Sequence, residues 1–404
     1  MTMTLRVVQD LTSFLRLQNE WNSLLSESDG NTIFLTWEWL YEWWNTYAPR
    51  QRLWVLTARE SSGRLLGIAP LYLSRVWLLG CLPVKVVRFI GDHSGDSEYL
   101  DFIAARNVGT EVRQHFLAYL SEQQHLWDVF VLRGTPATSP TALLAREWVL
   151  KKSYLVREQT FPCSVVELPE SWDAYLQVLH AKFRWTIRSR LRRLNEEHKV
   201  ELVRCENVSS LQACLETFFD LHGRRWAIEY EEGAFHVLRR QFYQRIGTRF
   251  LETGWLRFYF LKVDGRFVAA EFDFEYGGKV YCLQKGFDPS CGQDSYGTVL
   301  QASVLQDLIS GGVAAYDLLR DDLHYKNRWN PRSRTCFTFE IGRRNVRGRF
   351  FIYGPVLKRR ILNWLKAISP EWLVAFKRRA FERGRRKLYL LKNRPWFRII
   401  AKDE

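Results

Sequence analysis

A chain of 404 residues with 47% hydrophobic content has apolar material for a sizeable core and length for two or three domains, which excludes wholesale disorder. The formal charge of +15 is concentrated: residues 343–404 hold 19 Lys and Arg against 4 Asp and Glu, so the preceding 342 residues are neutral. Seven Cys without C-x-x-C spacing, and no His/Cys cluster at zinc spacing, exclude a disulfide framework and a structural zinc site and fit a reducing compartment.

MTMTLRVVQD has no basic-then-apolar leader pattern, and no run of about 18 apolar residues exists. The expectation is a cytoplasmic chain that does not span a bilayer. In chain order, LRVV reads as a strand and Leu11 to Ser26 as a helix. FLTWEWLYEWWNTYA (Phe34 to Ala48) spaces its aromatics as a helix with a buried face. RLWVLTARE, the turn SSGR and LLGIAPLYLSRV read as a hairpin. LWDVFVLRG and FPCSVVELP are further strands, closing a first half near residue 165.

The second half opens with a basic helix in HAKFRWTIRSRLRRLNEEHKVEL, where Arg184, Arg188 and Arg192 recur every fourth position and share a face. LQACLETFFDLHGRRWA is a second helix. WLRFYFLKVDGRFVAAEFDFEYGGKVYCLQKGFDP is a meander, with Asp-Gly and Gly-Gly turns. YGTVLQASVLQDLISGG is a helix ending at Gly311. AAYDLL and RTCFTFEIG are the last strands. A similar order of aromatic helix, strand, G-R turn and strand in both halves predicts a tandem duplication of one α/β unit; chance similarity among hairpins is the alternative.

The order D-G-R hairpin with A-A-E-F, G-F-D-P, S-Y-G-T-V-L at a helix start and Y-D-L-L-R…Y-K-N-R-W resembles the CelD-type, cellulose or polysaccharide biosynthesis acetyltransferases, relatives of the Fem-like tandem-GNAT acyltransferases. FLTWEWLYEWW and SEYLDFI look like the same family's first domain, and the likeness covers roughly residues 30–342. The resemblance implies two tandem GNAT-like domains, 1–165 and 166–342. Each is an α/β (α+β) unit with a mixed, mostly antiparallel sheet flanked by helices, and the acyl-donor site lies in the second. In the family's final motif, Asp317, Arg320, Tyr325, Lys326, Arg328 and Trp329 fit. Asp321, Leu323 and His324 stand where Gly, Glu and Pro are common, which removes an acid.

The implied co-substrate is acetyl-CoA or another acyl-CoA, with no metal. Its pyrophosphate would sit on free N–H groups at a helix start, which Ser295, Tyr296, Gly297 and Thr298 supply with one Gly fewer than the usual GNAT loop. An ordinary capped helix start is the competing reading. Arg320, Lys326 and Arg328 are anion-binding candidates, and Arg184 and Arg188 could meet an anionic acceptor. For chemistry, Glu271 or Asp273 on the D-G-R hairpin is a candidate base, against plain solvent-facing alternation of that strand. Asp317 could orient an acceptor amine or pair with Arg320, and Tyr325 could protonate the leaving thiolate.

Residues 345–404 pair aromatic-apolar faces with Lys and Arg, as in VLKRRILNWLKAI and WLVAFKRRAFERGRRK, which suits an anionic membrane surface. The expected activity is N-acylation of an amine-bearing sugar or lipid-linked acceptor in envelope polysaccharide synthesis, at the inner face of the membrane. Two alternatives stay open. One is a Fem-type transferase using aminoacyl-tRNA, the single reading in which nucleic acid is a partner. The other is a non-catalytic assembly factor of a polysaccharide synthase.

Overall fold

The computed structural model describes residues 3–228, 235–290, 296–320 and 324–368. Strand β1 (Met3–Val8) leads into two helices, α1 (Leu11–Arg16) and α2 (Gln18–Ser26), where the sequence predicted one. Thr36 caps the aromatic helix α3 (Trp37–Tyr47) through its hydroxyl, and Trp37, Trp39 and Trp43 are buried as expected. Then come β2 (Arg52–Leu53), β3 (Val55–Glu60), β4 (Leu65–Ala69), β5 (Leu71–Leu78), β6 (Leu82–Phe89) and β7 (Ile103–Ala104).

LLGIAPLYLSRV is not a single returning strand. Pro70 has no N–H for a ladder, and the run divides there. β4 stays with β3 in a four-stranded sheet of order β1-β3-β4-β7, while β5 pairs with β6 in a second, eleven-stranded sheet. The first half continues through α4 (Gly109–Glu122), β8 (Val129–Pro136), α5 (Pro140–Lys152) and β9 (Leu155–Glu167).

The second half contains α6 (Trp172–Val178), α7 (Ala181–Glu197), β10 (Val200–Arg204), α8 (Val208–Ile228) and α9 (Val237–Glu252). The meander is β11 (Leu256–Val263), β12 (Arg266–Tyr276) and β13 (Lys279–Phe287). Its turns place Asp264, Gly265, Gly277 and Gly278 at positive φ, the conformation that tight two-residue hairpins demand. Helix α10 (Tyr296–Ser310), β14 (Ala315–Arg320), α11 (His324–Asn327) and β15 (Arg332–Gly342) complete it.

The large sheet runs β10-β11-β12-β13-β14-β9-β15-β8-β6-β5-β2, so the last strand lies in its interior, antiparallel to both β9 and β8. The two halves thus share one sheet, and residues 1–348 form one compact unit. Each half repeats one device. A helix connects two parallel strands, β6 to β8 through α4 and β13 to β14 through α10, and each pair keeps register for three positions. In the first half the chain itself fills the space beyond that pairing. Tyr99 N–H donates to Gly134 O at 3.0 Å, and the Thr135 hydroxyl donates to Leu100 O at 2.8 Å.

The second half of the sheet is covered on both faces. Ala270, Phe272 and Phe274 of β12 pack in the core with Phe218 of α8 and Tyr243 of α9. Ala269 and the neighbouring Tyr259 pack with Val304, Leu305 and Leu308 of α10. Residues 349–404 form a separate unit, of which residues 349–368 are described and continue helix α12 (Val346–Ile368). Val356, Leu357, Ile361 and Trp364 of that helix are exposed. The second basic-aromatic segment, from Ser369 on, lies outside the described residues. Among the described residues, no helix is long and apolar enough to cross a membrane.

Candidate active site

The site begins where two parallel strands part. β13 and β14 pair at Lys279/Ala315, Val280/Tyr316 and Tyr281/Asp317. Beyond that point β13 carries a bulge at Leu283, and the register of β14 with β9 slips between Asp317 and Arg320. Leu319 takes a left-handed backbone with φ 58°, which costs a non-glycine residue about 1 kcal/mol or more. Asp317 offsets that cost. Its Oδ1 accepts from Leu319 N–H at 2.9 Å, and its two oxygens accept from the Tyr99 hydroxyl at 3.0 and 2.8 Å. The carboxyl is 2% exposed, and burial pushes its pKa up to about 6 against the pull of these hydrogen bonds. Asp317 therefore lies behind the wall of the opening and holds the bend in β14; it does not pair with Arg320.

Two cavities open from the split. One, of about 250 Å³, lies between Gly286 and Phe287 of β13 and Gly297, Thr298 and Gln301 on the first turns of α10. The rings of Phe183 and Trp329, set edge-to-face at 5.1 Å between centroids, form its apolar side. Gln301 is 2% exposed and its Nε2 has no hydrogen-bond partner among the described residues, an amide donor that sequence reading missed. On the far side of β13, a Cβ on Gly286 would sit 2.6 Å from the backbone nitrogen of His222, so α8 is pressed directly on this strand.

The other cavity, of about 400 Å³, is polar and is walled by both halves of the chain. The first half supplies the segment His93–Glu98 and Arg133. That segment is anchored at three points: Asp92 pairs with Arg88 and Arg133, each at 2.7 Å; Asp96 is bound by Arg239 and Tyr243; and Trp39 Nε1 donates to the Ser97 hydroxyl at 2.9 Å. The second half supplies Gln284, Lys285, Arg320, Tyr325 and Lys326. Arg225, Lys285 and Tyr325 line both cavities and mark where they meet.

The anticipated residues divide accordingly. Tyr325 stands at the junction, and burial raises its phenol pKa. Arg328 is on the smaller cavity with Gly297 and Thr298. Tyr296 opens α10 but its ring is buried in the core beneath. Ser295 lies outside the described residues. Arg320 lines the polar cavity with its guanidinium 3.7 Å over the Phe161 ring. Lys326 also lines it, but its Nζ donates to Leu318 O at 2.8 Å and Arg320 O at 2.5 Å, so it ties the bent strand end to α11. Arg184 and Arg188 are outside both cavity walls: Arg184 donates to Gln177 Oε1 at 2.5 Å, and Arg188 lies 3.6 Å from Asp173.

Glu271 and Asp273 share a face of β12, as the alternation predicts, but that face does not meet solvent. Both are fully buried because α10 covers it. Across the ladder Glu271 sits opposite Lys285 and Asp273 opposite Cys282. Lys285 Nζ is 3.1 Å from Glu271 Oε1 and donates to the Tyr316 hydroxyl at 3.0 Å. Lys285 was not anticipated; its cross-strand position opposite Glu271 was the available signal.

Those positions coincide with a sequence match. Residues 181–327 match the acetyltransferase (GNAT) domain model. The chain carries a GNAT acyltransferase domain. It runs from the first residue of α7 to the last of α11 and takes in the second-half walls of both cavities except Arg328 and Trp329. Such a domain implies an acyl-CoA co-substrate. No curated protein matches the chain. Among solved structures, FemX is similar with a TM-score of 0.57 at 11% identity, covering 84% of this chain and 97% of FemX. A conserved protein of unknown function from Bacteroides thetaiotaomicron is similar with a TM-score of 0.53 at 11% identity, covering 84% of this chain and 100% of that one. At this identity the likeness shows the fold: a mixed α/β architecture like that of FemX.

Proposed function

We propose that the GNAT domain transfers an acyl group, acetyl in the simplest case, from CoA to an amine on a sugar or related envelope precursor. The observation that carries this reading is the meeting of two unlike cavities at Lys285 and Tyr325. The smaller one has parts that suit a donor: the start of helix α10 at Gly297 and Thr298, whose positive dipole end favours a pyrophosphate, Arg225 and Arg328 for phosphate charge, and aromatic walls for the thioester arm. The larger, polar one is walled by the first half and suits a hydroxylated acceptor.

Direct transfer asks little of side chains beyond positioning. The neutral amine attacks the thioester carbon, the C–N bond forms and the C–S bond breaks. Tyr325 gives its proton to the departing thiolate and is reprotonated from the acceptor nitrogen. Asp317 shapes the opening, and Glu271 acts through Lys285. In this reading residues 345–404 dock the enzyme on an anionic membrane, where lipid-linked acceptors lie. The test is a thermal-shift series against acetyl-CoA, longer acyl-CoAs and CoA. A ligand at 100 times its Kd stabilises by about 2.7 kcal/mol, so a clear upward shift is expected. No shift at millimolar ligand would remove the donor reading.

A further inference from the structure

The transfer chemistry above names Lys285 as the residue Glu271 acts through but gives its ammonium no contact with the reacting atoms. It is on β13 four residues past the last pairing with β14, on the wall common to both cavities. A donor entering from the α10 side and an acceptor entering from the polar side place the reacting carbon where the two spaces meet. The groups there are Arg225, Lys285 and Tyr325. Arg225 lies over the Phe287 ring at 5.3 Å and donates to Lys285 O at 3.3 Å, which turns it to the donor side.

Two of the three ammonium N–H groups of Lys285 are committed, one to Glu271 and one to Tyr316. The third has no protein partner among the described residues. The side chain is 12% exposed, so it works in a setting where a charge–dipole contact is worth far more than in water. Accordingly, and resting on the donor reading above, we infer that Lys285 donates its remaining N–H to the thioester oxygen as that oxygen becomes an oxyanion, with Glu271 and Asp273 as the pair that positions it.

The pair explains why the ammonium stays charged and still. Glu271, Asp273 and Cys282 bring polar atoms within 4.8 Å of one another, all buried. Glu271 meets the Lys285 ammonium, and the Asp273 carboxyl lies against Glu271 and the Cys282 thiol. Two ionised carboxylates cannot stand so close in a dry interior, so one proton is shared between them. Burial, and then the charge of Glu271, push Asp273 well above the carboxylate range, which assigns the proton to it. One carboxylate charge then faces one ammonium.

Burial opposes the charge on Lys285, yet the groups around it hold its pKa above the usual lysine range. Those facing it are Cys282 from its own strand, Glu271 and Asp273 from β12, Tyr325 from α11 and the cationic Arg225 from α8, with the Tyr316 hydroxyl from β14. Burial also raises the Cys282 thiol and the Tyr325 phenol, so both are neutral near pH 7, and the Glu271 ion pair is the carboxylate contact the ammonium makes.

The experiment needs no known acceptor. Acetyl-CoA labelled with ¹³C at its carbonyl is bound to the full-length protein, and the carbonyl stretch is read by isotope-edited infrared spectroscopy. Lys285 should move the band to lower frequency than in buffer. Lys285→Met should abolish that shift, leave acetyl-CoA affinity within about tenfold, and slow acetyl transfer to hydroxylamine by about 100-fold. Should Lys285→Met fail to fold with Glu271 left unpaired, the Glu271→Gln, Lys285→Met double variant removes that charge and gives the same reading. In Glu271→Gln alone the band should revert at a lower pH than in wild type, because the anion that favours the ammonium is gone. A wild-type protein that binds no acetyl-CoA would overturn the donor reading. Binding with an identical carbonyl band in wild type and Lys285→Met would overturn the Lys285 inference and leave the donor reading intact.

Discussion

Replacing Asp317 by Asn tests whether the bend in β14 rests on a buried carboxyl. The group titrates near pH 6 in the fold against an ordinary value of 3.8. Each pH unit of that displacement is worth about 1.4 kcal/mol, so about 3 kcal/mol is at stake. The sign follows from proton binding. The folded protein holds this proton more tightly than the unfolded chain does, so the contribution is full below about pH 4 and is lost as pH rises through about 6. Above that, the fold contains a buried carboxylate accepting from Tyr99 and Leu319. Asn cannot ionise and can still accept from Leu319 N–H. Urea denaturation of both proteins from pH 4.5 to 7.5 should show Asp317→Asn gaining about 2 kcal/mol relative to wild type across the range. Other buried carboxyls, Asp96 and Asp101 among them, titrate in both proteins and cancel in the difference. Parallel stability curves would refute the reasoning.

Three further outcomes are expected. Gly286→Ala forces a methyl against the α8 backbone at His222, which cannot swing aside, and should cost about 1–3 kcal/mol in denaturant unfolding. Calorimetric titration with acetyl-CoA should give one site per chain, not two, because the first half's own segment through Tyr99 and Leu100 fills the space that is open in the second. Removing residues 345–404 should abolish co-sedimentation with vesicles rich in phosphatidylserine while leaving acetyl-CoA affinity unchanged.

Much of the second half was legible, because its signals are local. Asp264-Gly265 and Gly277-Gly278 fix two hairpins by backbone conformation alone, and the apolar stripe of α10 reads at helical spacing. The Y-D-L-L-R…Y-K-N-R-W motif marks Arg320, Tyr325 and Lys326, and all three line the polar cavity. What stayed hidden depends on packing across distance. The alternation of Glu271 and Asp273 looks like a wet face until α10 is seen to cover it. Asp317 looks like a reagent until Tyr99, 218 residues earlier, is seen to bond it. The wall from His93 to Glu98 belongs to the other half of the chain, and no local pattern announces that. The split at Pro70 was readable in principle, since proline rarely sits inside a strand.

The interior placement of β15 has a consequence for synthesis. The seam between β8 and β9 stays open until Arg332–Gly342 arrives, so the first 165 residues cannot finish folding while they emerge from the ribosome. At the usual rates of elongation, two unsatisfied strand edges wait for about 10–30 seconds. A nascent chain of this design invites a chaperone on those edges, and its release is timed by the final strand.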